Sequence, residues 1–299
     1  MNGVHVRVPA KVNLALRVGR TFADGYHELH TIFQAIELFD DVHARPAAPG
    51  EYRLAFQGEG SAFLPTDDTN LAMRAAKLLA QHFAVADAGA ELLIRKRIPV
   101  AGGMAGGSAD AAATLVACNE LWQLGASRDD LVPLAAQLGA DVPFLLFGGT
   151  ALGSRRGDVI EPLEVTGNYV WVLALSHHGL STPAVFQEFD RLALPTHTTI
   201  GDDLPQALQA GDVAGVGRAL VNDLAAPAVS LQPRLKHILR IGREAGALGS
   251  IVSGSGPTCA FLAADGKQAN RIAERLAIFS SVRTVRIAQG PARGAEVIA

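Results

Sequence analysis

A chain of 299 residues, 49% of them hydrophobic, has room for one large domain or two ordinary ones and enough apolar surface for a core. Its net charge of −3 and its scattered lysines and arginines leave no basic footprint for nucleic acid. Apolar runs stop short of the ~18 residues a bilayer span needs, and the opening residues lack the apolar stretch of a signal peptide. A cytoplasmic protein without a membrane partner is therefore expected. Cys118 and Cys259 lie far apart among apolar neighbours and read as reduced core residues.

Along the chain, residues 4–8 and 12–18 alternate like half-buried strands. In the second, Lys11, Asn13, Ala15 and Arg17 share one face. A polar loop follows at 19–27, then strands within 28–42 and at 52–56. Residues 70–83 have helical spacing. A strand at 91–98 leads into a glycine-rich loop, and a helix over 108–124 leads out. A short helix over 129–138 ends at Gly139. The apolar run 144–152 reads as a strand, and 153–158 as a turn.

The pattern restarts with a strand at 169–175. Thr182 and Pro183 look like an N-cap and first position of a helix running to about 192. Short helices near 204–209 and 213–221 precede a longer one at 231–245. Residues 250–263 read as strand, turn, strand. A helix at 268–279, a strand at 282–288 and a loose tail at 290–299 complete the chain. The interleaving without strict alternation argues for an α+β fold, divided into domains at 1–158 and 159–299.

The loop itself carries the most chemistry. It holds Pro99, Val100, Ala101, Gly102, Gly103, Met104, Ala105, Gly106, Gly107, Ser108 and Ala109. Glycines let a backbone approach phosphate, and a helix start offers free N–H groups and a positive dipole end. Ser108 is expected to cap that helix. No lysine follows Gly107, which excludes a Walker A loop, and the glycine spacing is not that of a dinucleotide fingerprint. A plain turn is the alternative. Asp141 stands between a helix end and an apolar run, where it reads as a cap or as a general base. Lys11 reads as an edge-strand lysine or, with Asn13, as part of a cleft. Tyr26, His27 and Phe186 could form a platform for a base or fold back on the core. The pairs His27/His30 and His177/His178 have no further ligands nearby, so no metal site of the protein's own is expected. Residues 253–257, Ser-Gly-Ser-Gly-Pro, read as a turn or as a second glycine-rich wall.

Together these segments resemble the GHMP family of small-molecule kinases, over nearly the whole chain. Pro9-Ala-Lys-Val-Asn-Leu14, continuing to Asp24-Gly-Tyr-His-Glu-Leu29, resembles one branch whose acceptor alcohol carries a cytidine diphosphate and serves the non-mevalonate route to isoprenoid precursors. Residues 99–112 resemble the family's ATP loop and 253–257 its third motif. The resemblance implies an N-terminal domain like ribosomal protein S5 domain 2, a ferredoxin-like C-terminal domain, and a site between them. It implies that Lys11 and Asp141 are the catalytic pair, that residues 99–109 and Lys96 hold ATP, and that Asn13, Tyr26, His27, Thr182 and Phe186 hold the acceptor. It implies Mg²⁺ carried by the nucleotide phosphates, a small-molecule substrate, and a monomer or homodimer. Where the family has glycine at 101 and 105 and serine at 109, this chain has alanine. The methyls at 101 and 105 are expected to require negative φ. A homoserine- or mevalonate-type kinase, or a non-catalytic nucleotide-binding module, are the alternatives.

Overall fold

The computed structural model describes residues 3–298; Met1, Asn2 and Ala299, at the ends of the expected first domain and tail, lie outside them. The two strands expected at 4–18 are one, β1 (Val4–Thr21), paired antiparallel along its length with β2 (His27–Pro46). Pro9 does not break it. The register shifts between Pro9 and Ala10 and again between Asn13 and Ala15, and bulges of this kind absorb a proline while pairing continues. β3 (Tyr52–Gly58) runs parallel to β4 (Ala90–Lys96), with α1 (Leu71–His82) as crossover. Asn70 caps α1 by accepting from the Ala72 N–H.

α2 (Gly106–Leu121) lies on this sheet and is apolar on nearly every side, as a helix in the middle of a core must be. α3 (Arg128–Leu138) starts at a Ser127–Asp130 capping box. The apolar run expected as a strand at 144–152 is divided. α4 (Val142–Phe147) comes first, Gly148 and Gly149 turn the chain at positive φ, and β5 (Thr150–Ser154) follows. An apolar run of that length carries no period that separates helix from strand. β6 (Val159–Pro162) pairs with β5, so the expected division at 158/159 falls within a hairpin of the first sheet.

β7 (Tyr169–Ser176) opens the second sheet. Beyond it come α5 (Thr182–Arg191), α6 (Asp203–Ala210), α7 (Val213–Ala219), β8 (Val221–Asn222) and α8 (Ala225–Leu231). α9 (Arg234–Glu244) answers to the longer helix expected at 231–245 but begins only after Pro233, while α8 is not among the expected helices. β9 (Gly249–Val252), β10 (Cys259–Ala263), α10 (Gly266–Ala277) and β11 (Val282–Gly290) complete a sheet of order β11-β7-β10-β9. Numbered by themselves these strands run 4-1-3-2, antiparallel, with helices after the first and third: the ferredoxin-like arrangement. The tail is not loose. β12 (Glu296–Val297) pairs with β1, and β8 pairs with β1 as well.

Side chains on β7 alternate between two cores. Tyr169, Trp171, Leu173 and Leu175 face the core of the first sheet, while Val172 and Ala174 face α5, α9 and α10. Cys118 and Cys259 are free and buried, and burial pushes both thiols up to about 12.

Candidate active site

A cleft of about 1050 Å³ opens between the two sheets. Its floor is β1. Lys11 is buried and its Nζ donates to Asn13 Oδ1 at 2.6 Å, lies 3.6 Å from Asp141 Oδ2, and sits 5.4 Å above the Phe33 ring. Asn13 is fixed in turn by donating to Thr31 Oγ1 at 2.8 Å, and Thr31 donates to the Ala15 carbonyl. The strand that holds Lys11 has neighbours on both sides, so it is not the edge-strand lysine its spacing allows. Asp141 is at the start of α4, partly exposed to the cleft.

The nucleotide-type loop bends over Lys11. The Lys11 N–H donates to the Met104 carbonyl at 3.3 Å. α2 begins at Gly106, two residues earlier than expected, and Ala105 rather than Ser108 holds the cap position. The N–H groups of Gly106, Gly107 and Ser108 precede the first helical bond, from Ala109 N–H to Ala105 O, and are free for an anion. Ser108 thereby keeps its hydroxyl for the cleft, which it lines. Ala101 (φ 52°) and Ala105 (φ 60°) are both left-handed, against the expectation of negative φ; the rest of the loop dictates the fold of these residues and each methyl costs roughly 1–2 kcal/mol. Met104 and Ala109 are fully buried, so their side chains pack in the core and do not line the cleft. The other residues from Pro99 to Ser108 do line it.

The turn of residues 253–257 forms the opposite wall. Ser253 Oγ donates to the Gly103 carbonyl at 3.0 Å, and Thr258 N–H to the Gly102 carbonyl. Gly254 is at φ +54°, and a Cβ there would press on Gly103 O, Asn13 Oδ1 and Lys11 Nζ at 3.1–3.3 Å. Thr182 is the first residue of α5, with Ser181 before it at the cap and Pro183 second. Freed from capping, its hydroxyl meets Ser255 Oγ at 2.8 Å.

At the far end, His27 Nε2 is 2.9 Å from Asp190 Oδ1, and its ring stacks on Phe186 at 5.1 Å. Tyr26 stands 60% exposed with the Arg156 guanidinium 4.6 Å from its ring centre. At the opposite end Lys96 lines the cleft but its ammonium is engaged. It pairs with Asp40, with Asp110 Oδ2 at 2.6 Å, and with the Gly106 carbonyl at 3.2 Å. Burial opposes its charge, yet the two carboxylates outweigh burial and raise its pKa. Asp40 also accepts from the N–H groups of Arg97 and Ile98. Sequence reasoning misses Asp40 and Asp110; the signal available was a carboxylate at the end of one apolar run and another inside an alanine-rich helix. It also passes over Thr31 and Arg156.

Two sheets in this order, with a glycine loop at a helix start facing a buried lysine and a carboxylate, define a kinase of the GHMP class. The description of the GHMP kinase N-terminal domain matches residues 70–149, and that of the C-terminal domain residues 206–281. The 4-diphosphocytidyl-2-C-methyl-D-erythritol kinase of Mycolicibacterium smegmatis is 52% identical over 99% of this chain and 92% of its own. A crystal structure of 4-(cytidine 5'-diphospho)-2C-methyl-D-erythritol kinase superposes with a TM-score of 0.77 at 33% identity, covering 95% of this chain and 98% of that one. Homoserine kinase from Cytophaga hutchinsonii has a similar TM-score, 0.79, over 100% and 98% of the two chains, but at 20% identity shares the fold alone. The chain belongs to the 4-diphosphocytidyl-2-C-methyl-D-erythritol kinase family.

Proposed function

We propose that the protein transfers the terminal phosphoryl group of ATP to the 2-hydroxyl of 4-diphosphocytidyl-2-C-methyl-D-erythritol, a step of the non-mevalonate route to isoprenoid precursors. The observation that carries this reading is the Lys11–Asp141 pair, 3.6 Å apart, set between the glycine loop and the aromatic end of one cleft. Phosphoryl transfer needs positioning and charge stabilisation more than covalent chemistry. Residues 99–103 and 105–108 and Lys96 hold ATP, with the N–H groups at the start of α2 receiving the phosphates. Asp141 accepts the proton of the acceptor hydroxyl. Lys11, oriented by Asn13, holds Asp141 and the hydroxyl in line and offsets the charge that develops on the attacking oxygen. Asn13, Tyr26, His27, Thr182 and Phe186 hold the acceptor.

Among the described residues no group of three or more His, Cys, Asp or Glu side chains is gathered to hold a metal ion. Ser108 lines the cleft as the hydroxyl at hand for a magnesium ion carried by the ATP phosphates, and such an ion would neutralise phosphate charge. Among the described residues no helix is long and apolar enough to cross a membrane.

Product formation from ATP and the cytidylylated sugar alcohol tests the reading, with homoserine and mevalonate as rival acceptors. Asp141→Asn is expected to lower kcat by ~10²–10⁴, the range for losing a general base, with ATP affinity little changed. A variant keeping half of wild-type kcat, or a wild type that prefers a rival acceptor, would overturn it.

A further inference from the structure

The hairpin between β5 and β6 carries a residue the proposed mechanism does not use. Arg155 is left-handed at φ 61° and Gly157 at φ 91°. A non-glycine residue persists there only when its surroundings over-determine it. Here the Arg155 carbonyl accepts from the Leu29 N–H at 2.6 Å, the Gly157 N–H donates to Ser154 O, and the Arg156 N–H donates to Asp158 Oδ1. The hairpin tip is thus held in one shape, and that shape puts Arg156 into the cleft. Its guanidinium lies over Tyr26 and its Nη2 donates to Asp24 Oδ2 at 2.5 Å, both in the turn at the acceptor end.

Charge bookkeeping at that end points the same way. Asp24, Asp141, Asp158 and Asp190 line it, facing two cations, Lys11 and Arg156. Lys11 is buried and engaged by Asp141 and Asn13. Arg156 is 46% exposed, and among the described residues only its Nη2 is bonded through the side chain. Its remaining N–H donors form a planar fork suited to phosphate. A cytidine-diphosphate acceptor brings negative charge on its two phosphates into a largely acidic half-cleft, and something must answer it.

We propose that Arg156 binds the diphosphate of the acceptor, with the face of its guanidinium backing the Tyr26 ring. The inference rests on the acceptor reading above. In the free protein Asp24 holds the guanidinium ready; in the complex the fork turns its free edge to the phosphates without leaving Tyr26. A charge-assisted, two-pronged contact of this kind is specific for the phosphates and adds nothing for the nucleoside alone.

The test compares binding of CDP and of cytidine by calorimetry in wild type, Arg156→Ala and Arg156→Lys, with ATP binding read in the same samples as a check of folding. Arg156→Ala is expected to weaken CDP by about tenfold or more while cytidine changes by less than about threefold and ATP holds. Arg156→Lys keeps the charge but not the fork, and falls between. Equal losses for CDP and cytidine would reduce Arg156 to a prop for Tyr26 and overturn the phosphate contact, as would no loss for either. A wild type that does not bind CDP would instead sink the acceptor reading itself, and this inference with it.

Discussion

Lys96 with Asp40 and Asp110 sets the electrostatics beneath the glycine-rich loop. Burial, then the neighbouring charge of Asp40, push the Asp110 carboxyl up to about 8 against the pull of Lys96. An unfolded chain loses that proton near 3.8, so folded Asp110 keeps a proton the unfolded chain has released. Its contribution to stability is full below about pH 3.8 and is lost as the pH rises toward about 8. Asp110→Asn preserves the shape and removes the titration. The variant is therefore expected to gain stability relative to wild type across that window, read by urea unfolding at several pH values; parallel profiles would contradict it. Lys11, Asn13 and Asp141 stand out in the sequence as polar groups within apolar patterns, but the pattern alone leaves edge-strand and cap readings open, and their joint role is what the resemblance implies. The Lys96 cluster is not legible, since its partners stand 56 and 14 positions away and sequence carries no distances. Tyr26 and His27 are legible as a turn, but that His27 stacks on Phe186 while Tyr26 faces Arg156 is decided by α5 and by the β5–β6 hairpin.

Among the elements, the loop from Pro99 to Ala105 is the one whose function and conformation are hardest to separate. In the sequence the glycines read as a phosphate cradle or as a plain turn. They do not announce that two alanines would share the left-handed region with Gly103 (φ 73°). Both ends of the loop are fixed at the Asp40–Lys96 cluster, and its middle is bonded to Ser253 and Thr258, so the backbone has little freedom to relax. Ala105→Gly is expected to escape the usual helix-start loss and to stabilise the protein by up to about 1 kcal/mol, measured by thermal unfolding. Gly103→Ala is the converse. A Cβ there would collide with the Ser253 carbonyl and the Gly256 backbone, so the KM for ATP should rise by about tenfold or more while that for the acceptor rises less. Equal increases in both would show that the loop does not act on the nucleotide alone. The strand expected at 144–152 and the cap expected at Ser108 miss for related reasons. Gly148, Gly149 and Ala105 take positive φ, and such choices are set by what the chain must reach next.

For the whole molecule, the α+β class follows from element order and the ferredoxin-like half from the family resemblance, but the way the halves interlock follows from neither. β7 serves two cores at once, and Trp171 donates across the seam to Gln34 at 2.8 Å, itself bonded to Thr150. β8 and β12, late in the chain, belong to the first sheet. Strands of two residues leave no periodic signal to read. The two halves are therefore expected to unfold in one transition. Tryptophan fluorescence, which Trp122 and Trp171 share, and far-ultraviolet dichroism should give coincident denaturation curves, and a fragment of residues 1–158, lacking β6, β8 and β12, should fail to fold. Two separated transitions would show the seam to be weaker than its packing.

The pairing of β12 with β1 also bears on how the protein is made. Val6 and its partner Val297 are paired although about 290 positions apart, so Val6 is synthesised long before Val297. At ~5–20 residues per second, the stretch of β1 at Val6 and Arg7 waits on the order of 15–60 s for its second partner. During that interval its apolar run is a template for strands of other nascent chains. The partner of an early strand thus arrives late, and chaperone demand should be greatest in the interval between the two.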